Sequence, residues 1–187
     1  MAQEEIKKKR KVWVRIVGPK DFKDNELGES YVNDANVLMG KKLKIDLSHL
    51  TGDFRKQSVS LGFLITEVSG NQAKTEVISY VVSNAHIRRM IRTGKDKFEY
   101  SFVSPIKDNK KIRVKTLVLT KTKTKNSVLT SIRKGINAYF VELGKTANFY
   151  DILNIVVGGE LTRNLKGQLK KIYPLSVFEI KSIELLK

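Results

Sequence analysis

The spacing of apolar residues changes near residue 125, and this change limits the folds that the sequence can adopt. Before it, apolar and polar residues alternate in short runs separated by turn residues, which is the pattern of strands with one buried face. After Lys125, residues Leu129, Ile132, Ile136 and Leu143 follow helical spacing. A β-rich block followed by a helical block favours an α+β fold over a parallel sheet with alternating helices.

The β-rich block contains two predicted hairpins. Val59–Val68 and Ala73–Val82 flank Ser69-Gly70-Asn71, and Phe98–Val103 and Ile112–Thr120 flank a charged turn. The other predicted elements of this block are a first strand beginning at Trp13, a helical turn capped by Asp34, a strand over Leu43–Leu47 and a helix over Asn84–Arg92.

The helical block continues with two more apolar stripes, Phe149–Val157 and Leu161–Ile172, and ends at Tyr173-Pro174. Alternation returns over Val177–Leu186, which predicts a last strand that rejoins the sheet. We expect a basic tail over residues 1–10 and one domain over residues 11–187, mainly β over 11–125, helical over 126–175 and a returning strand over 176–187. Its fold class is predicted as α+β, with an antiparallel β-barrel or strongly curled sheet flanked by C-terminal helices.

Net charge is the strongest indication of function. The chain has 36 Lys and Arg against 19 Asp and Glu, a formal charge of +17, whereas soluble domains commonly carry a charge of magnitude about 2 to 8. A folded chain with this excess repels itself unless a polyanion is bound. RNA is therefore the favoured partner, and solubility alone is the weaker explanation.

The basic residues fall into separate clusters, which favour a large polyanion over protection of one sheet edge. Between Ile106 and Lys134, ten Lys and Arg residues accompany one acid, Asp108. They occupy alternate positions over Lys111–Lys115 and over Lys121–Lys125, so one unbulged strand would present six basic side chains on one face. The predicted RNA-binding residues are Lys7, Lys8, Lys9, Arg10, Lys11, Arg88, Arg89, Arg92, Lys111, Arg113, Lys115, Lys121, Lys123, Lys125, Arg133 and Lys134.

Other kinds of site are not supported by the residues. Without Cys there is no disulfide, thiolate catalysis or Cys-ligated zinc, and His49 and His86 are isolated, so no metal is expected. No phosphate-loop motif or dinucleotide fingerprint is present, and we expect no cofactor, catalytic residue or small-molecule substrate. No apolar run approaches about 18 residues, so we expect a soluble, cytoplasmic protein without a membrane partner.

A group of acids and a pair of aromatic residues both have ordinary structural explanations. Asp21, Asp24 and Glu26 lie close together, but clustered acids in a loop are usually solvated, and we assign them no catalytic role. Trp13 and Tyr31 are of the type that stacks on unpaired bases, although packing within the protein is the interpretation we favour.

Four segments occur in a characteristic order along the chain. They are Lys11-x-Trp13-x-x-Ile16-x-x-Pro19-x-x-Phe22, Leu50-Thr51-Gly52-Asp53-Phe54, Ile132-Arg133-Lys134 and Ile172-Tyr173-Pro174-Leu175. Their order and spacing resemble the S-three-A, or eS-one, family of archaeal and eukaryotic small-subunit ribosomal proteins, from about Lys11 to the end. The sequence departs from the family where Pro105–Asn109 replaces a T-x-D-G-Y hairpin, and where the Gln that usually precedes I-R-K is absent.

The resemblance implies a β-barrel flanked by helices on the platform of the small subunit, near the messenger exit. It also implies contacts with small-subunit ribosomal RNA and neighbouring ribosomal proteins, with messenger RNA as a further candidate partner. We therefore expect a non-enzymatic structural constituent of cytoplasmic ribosomes, of archaeal type. The alternatives are an RNA-processing enzyme or its RNA-binding subunit, which would need paired acids or a metal, and a protein bound to an acidic membrane surface.

Overall fold

The computed structural model describes residues 10–19, 26–91, 93–108 and 110–186. The chain divides into two compact units, the first comprising Met1–Gln57 and Leu61–Ile78 and the second Ser58–Ser60 and Ser79–Lys187. The predicted tail over residues 1–10 lies outside the described residues except for Arg10. The single domain over residues 11–187 stays a prediction.

Eight strands and five α-helices form within the described ranges. The strands are β1 (Val12–Val17), β2 (Glu26–Val32), β3 (Lys42–Asp46), β4 (Val59–Ser69), β5 (Gln72–Val82), β6 (Lys97–Pro105), β7 (Lys111–Thr120) and β8 (Leu175–Leu186). The helices are α1 (Leu47–Thr51), α2 (Asn84–Met90), α3 (Asn126–Thr146), α4 (Phe149–Val157) and α5 (Glu160–Leu169). The two predicted hairpins, the turn after Asp34, the helices and the returning strand are confirmed.

The strands are hydrogen-bonded in the order β2-β1-β5-β8-β7-β6, with β3 paired to β4 and β4 to β5. Among the described residues this path is open, with β2 and β6 at its ends, so the sheet is not closed into a barrel. One pair, β1 with β5, is parallel, from Arg15↔Gln72 to Val17↔Lys74. The α+β class is confirmed and the barrel is wrong, while the strongly curled sheet stays a prediction.

In the first unit, β1 buries one face. Val14 and Ile16 form a core with Leu38, Ile65 and Ala73. β2 was not predicted, because its sequence Glu26–Val32 lacks regular alternation and begins in the acidic segment that we assigned to a loop. Its partner decides its conformation: β2 pairs antiparallel with β1 from Val12↔Val32 to Val17↔Glu26.

The L-T-G-D-F segment ends one helix and starts a tighter turn. Gly52 follows α1 with φ 71°, a left-handed conformation that glycine adopts without steric penalty, and its N–H donates to Ser48 O at 2.9 Å. Asp53 Oδ1 then accepts the N–H of Arg55 at 3.0 Å, which begins the 3-10 turn Phe54–Lys56. The short helix α1 before this turn was not predicted from the sequence.

In the second unit, β6, β7 and β8 form an antiparallel three-stranded region against which the helices pack. α3 contacts β6, and α5 contacts β8. The β7–β8 register shifts between Lys115 and Thr116, whose partners are Ser182 and Ile180, so Lys181 is an extra residue on β8. This bulge explains why the buried Ile180 and Ile183 lie three residues apart in a strand.

A half-buried acid in this region gives a pH-dependent prediction. Burial raises the pKa of Glu179, and burial together with the Glu179 charge raises the pKa of Tyr80. Because the folded state holds the Glu179 proton more tightly than the unfolded state, stability falls as pH rises from the unfolded pKa through the folded pKa. We expect the stability of Glu179→Gln relative to the unmodified chain to increase as pH rises through the range in which Glu179 loses its proton. Urea midpoints test this, and a pH-independent difference would contradict it.

Candidate nucleic-acid interface

The most basic loop of the second unit connects β7 to α3, and we call Lys121–Lys125 the lysine loop. Strand β7 ends at Thr120, because neither neighbour continues past it: β6 begins at Lys97, opposite Leu119, and β8 begins at Leu175, opposite Thr120. The lysine loop is therefore not part of the strand. The prediction that one unbulged strand presents six basic side chains on one face is wrong.

The I-Y-P-L segment holds one side of the lysine loop. Lys121 N–H donates to Pro174 O at 3.2 Å, and the hydroxyls of Thr122 and Tyr173 lie 2.6 Å apart. The Tyr173 hydroxyl also donates to Lys123 O at 3.4 Å. Three contacts from two adjacent residues therefore determine the path of the loop backbone.

An aspartate holds the other side. Asp96 Oδ2 accepts the Thr124 N–H at 2.6 Å, a short bond of the kind that charged acceptors form. The Asp96 backbone also bonds to the last residue of β7, since Thr120 N–H donates to Asp96 O at 3.1 Å. Asp96 was not predicted as a site residue, and its sequence position, 28 residues before Thr124, carries no signal.

The three lysine side chains of the lysine loop are exposed to solvent. The hydroxyl of Thr122 and the backbone of Thr124 bond to protein, whereas Lys121, Lys123 and Lys125 are exposed. Within the described part of the chain, none of these three lysines forms an ion pair with a carboxylate. The loop therefore displays three uncompensated positive charges from a fixed backbone.

Two lysines that were not predicted as site residues bind Ser176, the residue that follows the I-Y-P-L segment. Lys95 Nζ donates to Ser176 Oγ at 2.7 Å, and Lys166 Nζ donates to Ser176 O at 2.9 Å. Lys166 belongs to the polar side of α5, where Arg163 and Lys170 lie at helical spacing opposite the buried leucines. That spacing was visible in the sequence and could have identified Lys166 as part of a basic helix face. The contact of Lys95 with Ser176 could not be predicted, because it depends on the fold.

The I-R-K segment lies on α3, as predicted. Ile132 is fully buried, while Arg133 and Lys134 are exposed. The Arg133 guanidinium lies 4.7 Å from the centroid of the Phe98 ring, a cation–π contact that orients it and leaves its N–H groups available to phosphate. The polar side of α3 therefore adds two exposed positive charges to the second unit, of which Arg133 is oriented by Phe98.

The remaining described residues of the second unit that were predicted to bind RNA lie on β7 and α2. Lys111, Arg113 and Lys115 occupy the exposed side of β7, and Lys115 Nζ is 3.7 Å from Glu184 Oε1. Lys111 begins β7 and Lys121 directly follows its last residue. At the rise per residue of an extended strand, the two lie roughly 30 Å apart. Arg88 and Arg89 are exposed on α2, which Ser83 caps. Lys111, at the start of β7, is therefore far from the lysine loop.

In the first unit, Arg10 and Lys11 are exposed, and Lys11 Nζ lies 5.5 Å from the centroid of the Tyr31 ring. The predicted residues Lys7, Lys8, Lys9 and Arg92 lie outside the described residues.

The described residues were also expected to lack a metal site and a membrane-spanning segment. In the ranges that the structure describes, no group of three or more His, Asp or Glu residues could hold a metal ion. Of the clustered acids, Asp21 and Asp24 are outside these ranges, and Glu26 Oε1 lies 3.8 Å from Arg15 Nε. No helix of the described residues is long and apolar enough to cross a membrane.

Comparison with known proteins identifies the chain's family. The sequence profile of the ribosomal S3Ae family matches residues 2–187. The chain belongs to this family. The resemblance seen in the four sequence segments is thereby confirmed.

Relatives of this S3Ae-family chain include proteins named small ribosomal subunit protein eS1. The protein from Methanobrevibacter smithii is 33% identical over 172 residues, covering 92% of this chain and 89% of the relative. Those from Nanoarchaeum equitans and Saccharolobus islandicus are 34% and 35% identical, covering 95% and 96% of this chain and 89% and 86% of the relatives. The predictions of a structural, non-enzymatic ribosomal protein of archaeal type, in the cytoplasmic ribosome, are confirmed at the level of the family.

Proposed function

We propose that this chain holds small-subunit ribosomal RNA through phosphate contacts made by the lysine loop and the exposed side of α3. The observation that carries the proposal is the display of three exposed lysines, none in an ion pair within the described part of the chain, from a loop fixed by Asp96, Tyr173 and Pro174. Because the loop backbone is already ordered, little additional conformational entropy is lost when phosphates bind. Contacts of this type fix the position of the RNA more than they read its sequence.

The other predicted basic residues extend this interface in the proposal. Arg133 and Lys134 lie on the helix that follows the lysine loop, and the α2 and β7 groups supply further separate contacts. Several separated contacts suit a folded RNA, which presents phosphates on more than one helix. Lys7, Lys8, Lys9 and Arg92 remain predicted RNA contacts.

The placement in the ribosome is also proposed. Membership of the S3Ae family supports a position on the platform of the small subunit near the messenger exit, beside neighbouring ribosomal proteins. Messenger RNA is a further candidate partner at that position. The proteins that the relatives' names describe are small-subunit proteins, which agrees with this assembly.

Binding of the full chain to small-subunit ribosomal RNA over a salt series tests the proposed function. If about five phosphates are contacted, the logarithm of the association constant falls against log salt with a slope of about −4. The RNA is expected to remain uncleaved, and the chain is expected to sediment with small subunits. A slope near zero, or equal affinity for anionic lipid vesicles in flotation, would contradict it.

A further inference from the structure

Two large aromatic side chains lie on the solvent face of the first unit. Trp13 on β1 is directly opposite Tyr31 on β2, and their ring centroids are 4.8 Å apart with an interplanar angle of 34°. Trp13 is 57% exposed and Tyr31 51% exposed. The expected packing is therefore only partial, because the rings contact each other while more than half of each remains in solvent.

The pair has cations on one side and amides on the other. Lys11 Nζ lies 5.5 Å from the centroid of the Tyr31 ring, and the neighbouring Arg10 is exposed. Beside Trp13 an open cavity of about 480 Å³ is lined by Trp13, Arg15, Glu29, Asn71 and Gln72. Arg15 Nε lies 3.4 Å from Glu29 Oε1, so the acid that faces this cavity is paired with a cation.

We propose that the Trp13–Tyr31 pair is a stacking platform for an unpaired base of an RNA strand. Aromatic faces that flank basic residues bind single-stranded nucleic acid, because the ring stacks on the base while the cations hold the phosphates. Arg10 and Lys11 would hold the adjacent phosphates. The exposed amides of Asn71 and Gln72, each with donors and acceptors, are placed to bond the edge of the base. The proposal rests on the proposed function and extends it from phosphate contacts to a base contact.

The Trp13–Tyr31 pair and the lysine loop can be tested separately. Trp13 and Tyr31 belong to the first unit, and the lysine loop belongs to the second. Substitution at one place can therefore be compared directly with substitution at the other. An apolar protein partner would also suit exposed rings, but the cations beside Tyr31 favour a polyanion.

Trp13 is the single tryptophan of the chain, so its fluorescence reports on the platform alone. We expect quenching by a short single-stranded oligoadenylate. The same strand paired with its complement, and inorganic polyphosphate, supply charge without accessible base faces and should quench little. Equal quenching by the duplex or by polyphosphate would overturn the platform.

Affinity for the labelled single strand, measured by anisotropy, provides the second readout. Trp13→Leu is expected to weaken binding about 10- to 100-fold, the effect of losing one stacked base. Trp13→Phe, which keeps a ring, should bind within about 3-fold of the unmodified chain, and unchanged thermal midpoints would show that both variants fold. If the strand binds with steep salt dependence but leaves Trp13 unquenched and Trp13→Leu unaffected, the platform is wrong and the proposed function stands. If no RNA binds, the proposed function itself fails.

Discussion

Replacing Lys121, Lys123 and Lys125 with alanine is expected to weaken binding to small-subunit ribosomal RNA about 100-fold near 0.1 M salt. Each lysine that neutralises a phosphate releases counterions, which contributes about 0.7 to 0.9 to the salt slope, so losing three contacts should reduce the slope by about 2 to 3. The substituted side chains are exposed, and the bonds that hold the loop use its backbone and Thr122. The fold should therefore be unchanged.

A matched variant separates position from net charge. Lys41, Lys42 and Lys44 are exposed in the first unit and are not among the predicted contacts, so their replacement by alanine removes the same three charges. We expect this control to change affinity by less than about 5-fold through long-range attraction alone. Equal losses in both triple variants, or an unchanged slope in the loop variant, would show that the lysine loop makes no specific contact.

Gly144→Ala is expected to destabilise the second unit by about 2 to 3 kcal/mol, toward the upper end of overpacking effects. Gly144 is buried in α3, and a Cβ atom there would overlap the Pro105 carbonyl oxygen, a backbone atom that cannot rotate away as a side chain can. Ser104 Oγ donates to Phe140 O at 3.3 Å in the same contact between helix and strand. Urea unfolding followed by far-ultraviolet circular dichroism measures the change.

A second glycine in a helix provides the comparison. In α5, a Cβ atom at Gly167 would have no described atom within 4 Å apart from its chain neighbours and the local helix backbone, so Gly167→Ala should stabilise by about 0.5 to 1 kcal/mol through higher helix propensity. Both substitutions add one methyl group, but only the methyl group at residue 144 would overlap a backbone atom of another element. Destabilisation of similar size in both variants would mean that helix α3 does not pack closely on Pro105.

The family segments acquire physical roles in this structure. In I-Y-P-L, Tyr173 and Pro174 hold the lysine loop, and Leu175 begins β8. In L-T-G-D-F, Gly52 and Asp53 end one helix and start the next turn. In the sequence, the two segments indicated only the family. Their contacts in the structure show that both determine the local path of the chain.

Local patterns in the sequence were enough to predict most elements. Alternation over Val59–Val68 and Ala73–Val82 predicted a hairpin, and spacing over Leu161–Ile172 predicted a helix, because each pattern reflects which side chains of one segment are buried. The same holds for the polyanionic character of the expected partner, since it was inferred from the chain's net charge, which is a sum over the composition and does not depend on the fold.

Strand ends and the contacts that hold the lysine loop were decided by pairing between distant segments. β2 forms because β1 lies beside it, and β7 stops at Thr120 because β8 begins only after Pro174, so six basic residues that seemed to share one face belong to two places. Asp96 and Tyr173 hold the lysine loop from 28 and 50 residues away. A period of two or 3.6 residues reports a segment's buried face, whereas strand ends and loop anchors depend on partners that only folding brings together.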